Sequence, residues 1–139
     1  MVDNLLKVTL DTNIIVSALI FGGNSKRIIE KLTRREFTAY TSPQLVSELI
    51  DVLLKKFNFS KKMIVLLEAQ IITLFNMVYP TETISIVRDI DDNRKLEVAV
   101  ESKSSIIVSG DKDLLDLKKY ESIKIVSPKD FLDLFEKSY

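Results

Sequence analysis

The acids Asp11, Glu48, Asp92, Asp111 and Asp113 are the residues of this sequence most able to do chemistry together. Asp11 follows an apolar stretch and opens Asp11-Thr12-Asn13. Asp111 and Asp113 follow another, in Ser109-Gly110-Asp111-Lys112-Asp113. Asp92 closes the run Asp89-Ile90-Asp91-Asp92, and Glu48 stands in an apolar-rich segment between. Carboxylates gathered in one cleft repel, so they need cations. A shell of oxygen ligands favours Mg²⁺ or Mn²⁺ over zinc. Such ions activate water, and a pair roughly 4 Å apart steadies both the attacking and the leaving oxygen of a phosphodiester.

Composition narrows the alternatives. The chain has no histidine and no cysteine. That removes Ser-His-Asp and Cys-His triads and the common zinc sites. Chemistry is left to carboxylates, hydroxyls, Lys, Arg or an oxygen-bound metal. Basic and acidic residues balance at 20 each, which by itself argues against a nucleic-acid partner. Acids that hold metal ions in one cleft, however, leave a basic excess elsewhere to face phosphates. Lys26, Arg27, Lys31, Arg34, Arg35 and Lys112 are candidate phosphate contacts, although each alone reads more simply as a solvated surface charge.

Apolar stretches and turn residues predict the elements that must position the acids. Strands are expected at residues 5–10, 37–41, 83–87, 105–109 and 123–126. Helices are expected at 14–21, 25–35, 43–57, 61–78, from the acidic run at 89–92 to 102, at 114–118 and at 128–136. Strands alternating with helices imply βαβ units and a parallel sheet. With 139 residues and three glycines and three prolines, one domain over residues 1–139 is expected. Open parallel sheets bind ligands beyond the carboxyl ends of their strands, where strand order reverses. If the first and fourth strands are neighbours there, Asp11 converges with Asp111 and Asp113.

Each acid also has a plain structural use. Asp11 can be only a helix N-cap. Asp111 and Asp113 can be turn residues. Asp89, Asp91 and Asp92 can complement a helix N-terminus. Helical spacing separates some of these uses. Around residues 44–54 the apolar positions Leu45, Val46, Leu49, Ile50, Val52, Leu53 and Leu54 form a broad buried arc, with Ser47 and Asp51 opposite it and Glu48 on its flank. Asp92 shares an inward stripe with Leu96 and Ala99, whereas Asp91 lies off it. An inward carboxylate needs a partner.

Leu10-Asp11-Thr12-Asn13, Glu48 in its helix, Asp89-Ile90-Asp91-Asp92-Asn93-Arg94-Lys95-Leu96-Glu97 and Val108-Ser109-Gly110-Asp111-Lys112-Asp113-Leu114-Leu115 resemble, in order, spacing and context, the successive motifs of PIN domains. The resemblance extends over nearly the whole chain and is closest to prokaryotic toxin components of toxin–antitoxin pairs. It implies an α/β three-layer sandwich with a five-stranded parallel sheet in the order 3-2-1-4-5. It also implies Mg²⁺- or Mn²⁺-dependent cleavage of RNA. By motif, Asp11, Glu48, Asp92 and Asp111 would be catalytic metal ligands, with Asp113 close to them. Asn13 and Ser109 would orient ligands or water, and Asp89 is a weaker candidate. Ser109 stands where Thr is commoner.

Two other readings deserve comparison. A haloacid-dehalogenase-like phosphatase places a second aspartate two residues after its first, where this chain has Asn13. A PIN-like module that binds RNA or protein without cutting would have no need of these acids. Partners implied are an RNA substrate, a second copy of the chain and an antitoxin protein. The segment 61–78 is too apolar all round for one sheet face to cover, which points to a homodimer. Glu68, Gln70, Thr73 and Asn76 interrupt it, so no membrane span is expected. Met1-Val2-Asp3-Asn4 is acidic and polar where a secretory signal would be basic and then apolar, so a cytoplasmic location is expected.

Overall fold

Side chains alternate across a strand, and β1 (Lys7–Leu10) shows it: Val8 and Leu10 enter one core, while Thr9 faces the opposite layer and meets Ser104 Oγ at 2.9 Å. The computed structural model describes residues 5–137, so the reading of Met1 to Asn4 lies outside it. After β1 come α1 (Thr12–Ile20), α2 (Gly23–Thr33), β2 (Thr38–Thr41), α3 (Pro43–Lys56), α4 (Lys61–Leu74) and β3 (Phe75–Met77). Then follow α5 (Ile90–Ser102), β4 (Ile106–Val108), α6 (Lys112–Leu117), β5 (Lys119–Tyr120), β6 (Ile123–Val126) and α7 (Pro128–Lys137).

The sheet order is β3-β2-β1-β4-β6-β5. The first five of these strands are parallel and run in the expected 3-2-1-4-5 order. The sixth, β5, is an addition: a two-residue strand that turns back antiparallel along β6. One core holds Val8, Leu10, Ile14, Ile28, Leu32, Leu49, Leu53 and Val108, with Phe37 edge-on to Phe131 at 5.1 Å between ring centroids. The other lies under α5 and α6 and holds Leu96, Ala99, Ile107, Leu114 and Ile125. Helices therefore cover both faces, the three-layer arrangement.

The third strand is not where the sequence pattern put it. Residues 83–87 form no strand; β3 is Phe75–Met77, paired with Ala39–Thr41 of β2, and α4 stops at Leu74 instead of reaching 78. Phe75 and Met77 suit a pleated, half-buried surface. Val78 N still bonds Thr41 O of β2 at 2.9 Å, but residues 81–87 turn to α5 side chains instead of to a neighbouring strand. Asn93 Oδ1 accepts from Ile86 N and Val87 N, both at 3.0 Å, Glu97 Oε2 accepts from Ile84 N at 2.8 Å, and Glu101 Oε1 accepts from Thr81 N at 3.0 Å. Among the described residues, no helix is long and apolar enough to cross a membrane.

Candidate metal centre and active site

Helix starts deliver most of the acids. Asp11 follows β1 and caps α1, its Oδ1 accepting the Asn13 N–H at 2.9 Å. Asp89 caps α5 by accepting from Asp91 N at 2.8 Å, and Asp111 caps α6 by accepting from Asp113 N at 2.9 Å. Capping engages only Oδ1 of each carboxylate, so the structural and the chemical use of these acids do not compete. β1 and β4 are adjacent, with Leu10 opposite Val108. Ser109, just after β4, donates its hydroxyl to Asp11 Oδ2 at 2.7 Å and accepts the Asp111 N–H at 3.0 Å.

Asp92 lies on the inward face of α5, 1% exposed. Its Oδ1 is bound, but its Oδ2 is buried and has no hydrogen-bond partner. Such an oxygen is costly unless something else fills its coordination. One carboxylate oxygen from each of Asp89, Asp92 and Asp111 falls within 4.8 Å of the others. An oxygen-only trio with an orphaned, buried oxygen in it fits Mg²⁺ or Mn²⁺. Burial pushes Asp92 up to about 6, Lys95 pulls it down and Asp111 adds a further upward push.

Glu48 is half-buried on the flank of α3, whose Leu45, Leu49 and Leu53 are buried while Ser47 and Asp51 are exposed. Burial, and next the Asp91 carboxylate, raise Glu48 to about 7, against the pull of Lys95 and Arg94. Asp91, off the inward stripe, thus faces Glu48 and lies outside the acidic trio. Asp113 lies 3.7 Å from Arg88. Asn13 contributes its backbone N–H, and its side chain is exposed.

The sequence pattern missed Lys95. Its ammonium, on a residue 5% exposed, donates to Asp11 Oδ2 and Asp92 Oδ1, both at 2.9 Å. Burial alone would lower a lysine, yet Asp11 and Asp92 hold this one above its usual value. The cluster therefore carries a fixed cation, where repulsion without one was expected. A signal existed: Lys95 lies three residues after Asp92, on the same helix face. Three basic residues in and just after α2 form ion pairs within the chain. Arg27 pairs with Glu136, and Lys31 and Arg34 pair with Glu36.

A parallel α/β sheet with acids gathered beyond the adjoining ends of β1 and β4 is an architecture able to hold a divalent cation where such sheets bind their ligands. The chain belongs to the PIN domain family, whose model matches residues 7–113. PIN domains are generally metal-dependent nucleases. The chain is 33% identical over 145 residues to uncharacterized protein MJ1680 of Methanocaldococcus jannaschii, across 95% of this chain and 93% of that protein. The crystal structure of PAE2754 from Pyrobaculum aerophilum shares the fold, with a TM-score of 0.61 at 12% identity, over 96% of this chain and 90% of that one. Family membership replaces the phosphatase reading.

Proposed function

We propose that the protein is a Mg²⁺- or Mn²⁺-dependent endoribonuclease, acting in the cytoplasm as the toxin of a toxin–antitoxin pair. The observation that carries the metal reading is Asp92, buried with an unpartnered oxygen beside Asp89 and Asp111. Those three acids would hold the ion, which when bound would supply activation of water and charge stabilisation at a phosphodiester. Asp11 fixes Ser109 and Lys95, and through Ser109 the start of the Asp111 turn. Glu48, raised to about 7, is a carboxylate able to accept a proton near neutral pH. Asp113 keeps Arg88 at the rim, where a phosphate can meet it. The test is cleavage of a defined RNA with Mn²⁺, with excess chelator and with folded Asp111→Asn or Asp11→Asn protein. Cleavage that survives chelator or either substitution would refute the mechanism. Cleavage of DNA but not RNA would refute the substrate class, and binding without cleavage would leave the non-catalytic module.

The toxin reading rests on the motif resemblance, and predicts growth arrest on expression, relieved by a partner encoded beside it. We further propose a homodimer through α4. Val65, Leu66 and Ile72 are each more than 60% exposed there, and Leu19 and Phe21 at the end of α1 are also exposed. Apolar surface of this kind on a small domain marks an interface. An antitoxin helix is the alternative occupant, distinguished by light scattering of the protein alone.

A further inference from the structure

Asp11 stands outside the acidic trio of Asp89, Asp92 and Asp111. Both of its oxygens are engaged: Oδ1 by the Asn13 N–H, Oδ2 by the Ser109 hydroxyl at 2.7 Å and the Lys95 ammonium at 2.9 Å. Lys95 also reaches Asp92 Oδ1 at 2.9 Å. An ion shared by Asp11 Oδ2 and Asp92 Oδ1 would have to occupy the space where that ammonium sits. We propose that Lys95 permanently fills the second cation position of this centre, so that the protein binds one divalent ion and not a pair.

This rests on the metal reading above and adds to it. A two-ion centre holds its cations roughly 4 Å apart between shared carboxylates. Here one side of Asp92 faces an ammonium and the other oxygen is left over. The ammonium is tethered by α5, buried, and bound to two carboxylates, so moving it aside would strand a buried charge. A second divalent ion beside it would meet a like charge at close range in a site with little water to screen it. Lys95 is thus a positioning residue: it balances Asp11 and Asp92 and turns the remaining Asp92 oxygen over to the single ion. Asp11 Oδ2 is then taken up in holding Lys95 and Ser109 in place.

The experiment counts ions. Metal-free full-length protein is titrated with Mn²⁺ alone, and bound ions are counted by calorimetry and by electron paramagnetic resonance. Wild type is expected to bind one, and Lys95→Met two, the second between Asp11 and Asp92. Lys95→Met joined to Asp11→Asn is expected to return to one. Lys95→Met leaves two buried acids without a counter-ion, so it is purified in Mn²⁺ and counted after gel filtration; Lys95→Gln, also neutral but polar, is counted in parallel. Two ions on wild type, or only one on both neutral variants, would overturn the proposal and leave the metal reading standing. No ion on wild type would sink the metal reading itself.

Discussion

Ser109 Oγ stands 2.7 Å from Asp11 Oδ2, a contact between residues 98 apart in sequence that ties the ends of β1 and β4 together. Both side chains are fully buried. Losing a hydrogen bond to a buried charge costs roughly 1.5–3 kcal/mol. Ser109→Ala is expected to lower the unfolding free energy from urea melts by an amount in that range, and the midpoint with it, while Ser109→Thr, which keeps the hydroxyl, changes both little. Equal midpoints for Ser109→Ala and wild type would show that the contact carries no stability.

Acid should stabilise the metal-free protein. Asp92 is raised from 3.8 to about 6 and Glu48 from 4.5 to about 7. A raised folded-state value means that the native state binds more protons than the unfolded chain between the two values, so stability falls as pH rises through that window. Lys95 is also raised, but its stabilising effect is fully present below the ordinary lysine value and constant here. With chelator, the urea midpoint at pH 5 should exceed that at pH 7.5, and Glu48→Gln should flatten the difference. A higher midpoint at pH 7.5 would contradict the burial argument.

Asp92→Asn should separate the metal from the fold. Its carboxylate is held above its ordinary value mainly by burial, so a neutral amide of nearly the same shape should raise the melting temperature of metal-free protein at pH 7.5. Lys95 keeps Asp11 as its counter-ion. Stabilisation by added Mn²⁺ should shrink sharply, because only binding to the folded state raises stability by mass action. If wild type and variant gain equally from Mn²⁺, Asp92 is no ligand.

Asn93 should matter to metal affinity without touching the ion. It holds residues 86 and 87 by three hydrogen bonds of 2.9–3.0 Å, just ahead of Asp89. Supports behind ligands typically govern affinity by 10- to 100-fold. Asn93→Ala is expected to weaken Mn²⁺ binding by about tenfold and to admit protease cleavage within 78–89. Unchanged affinity alongside faster cleavage would show that Asp89 does not depend on this anchor.

Local spacing made much of this legible. Asp11, Glu48 and Asp92 could be placed because a cap, a helix flank and an inward stripe are each set by residues within a few positions. The parallel order followed from the alternation of strand and helix and from the motif resemblance. Two features were not local. Residues 83–87 carry strand-like side chains, yet their backbone partners are Asn93 and Glu97 of a helix, which no alternation pattern reveals. Lys95 looks like one more charge in a charged helix until Asp11, 84 residues away, comes beside it.

The sheet's edges bear on how this protein meets others. β3 has three residues and β5 two, the latter led by an exposed Lys119. Short edges, one of them led by a charge, give an incoming strand little ladder to join. The sheet cannot readily lengthen by strand addition from another chain, which guards against fibrous stacking and leaves recognition of any protein partner to helix side chains.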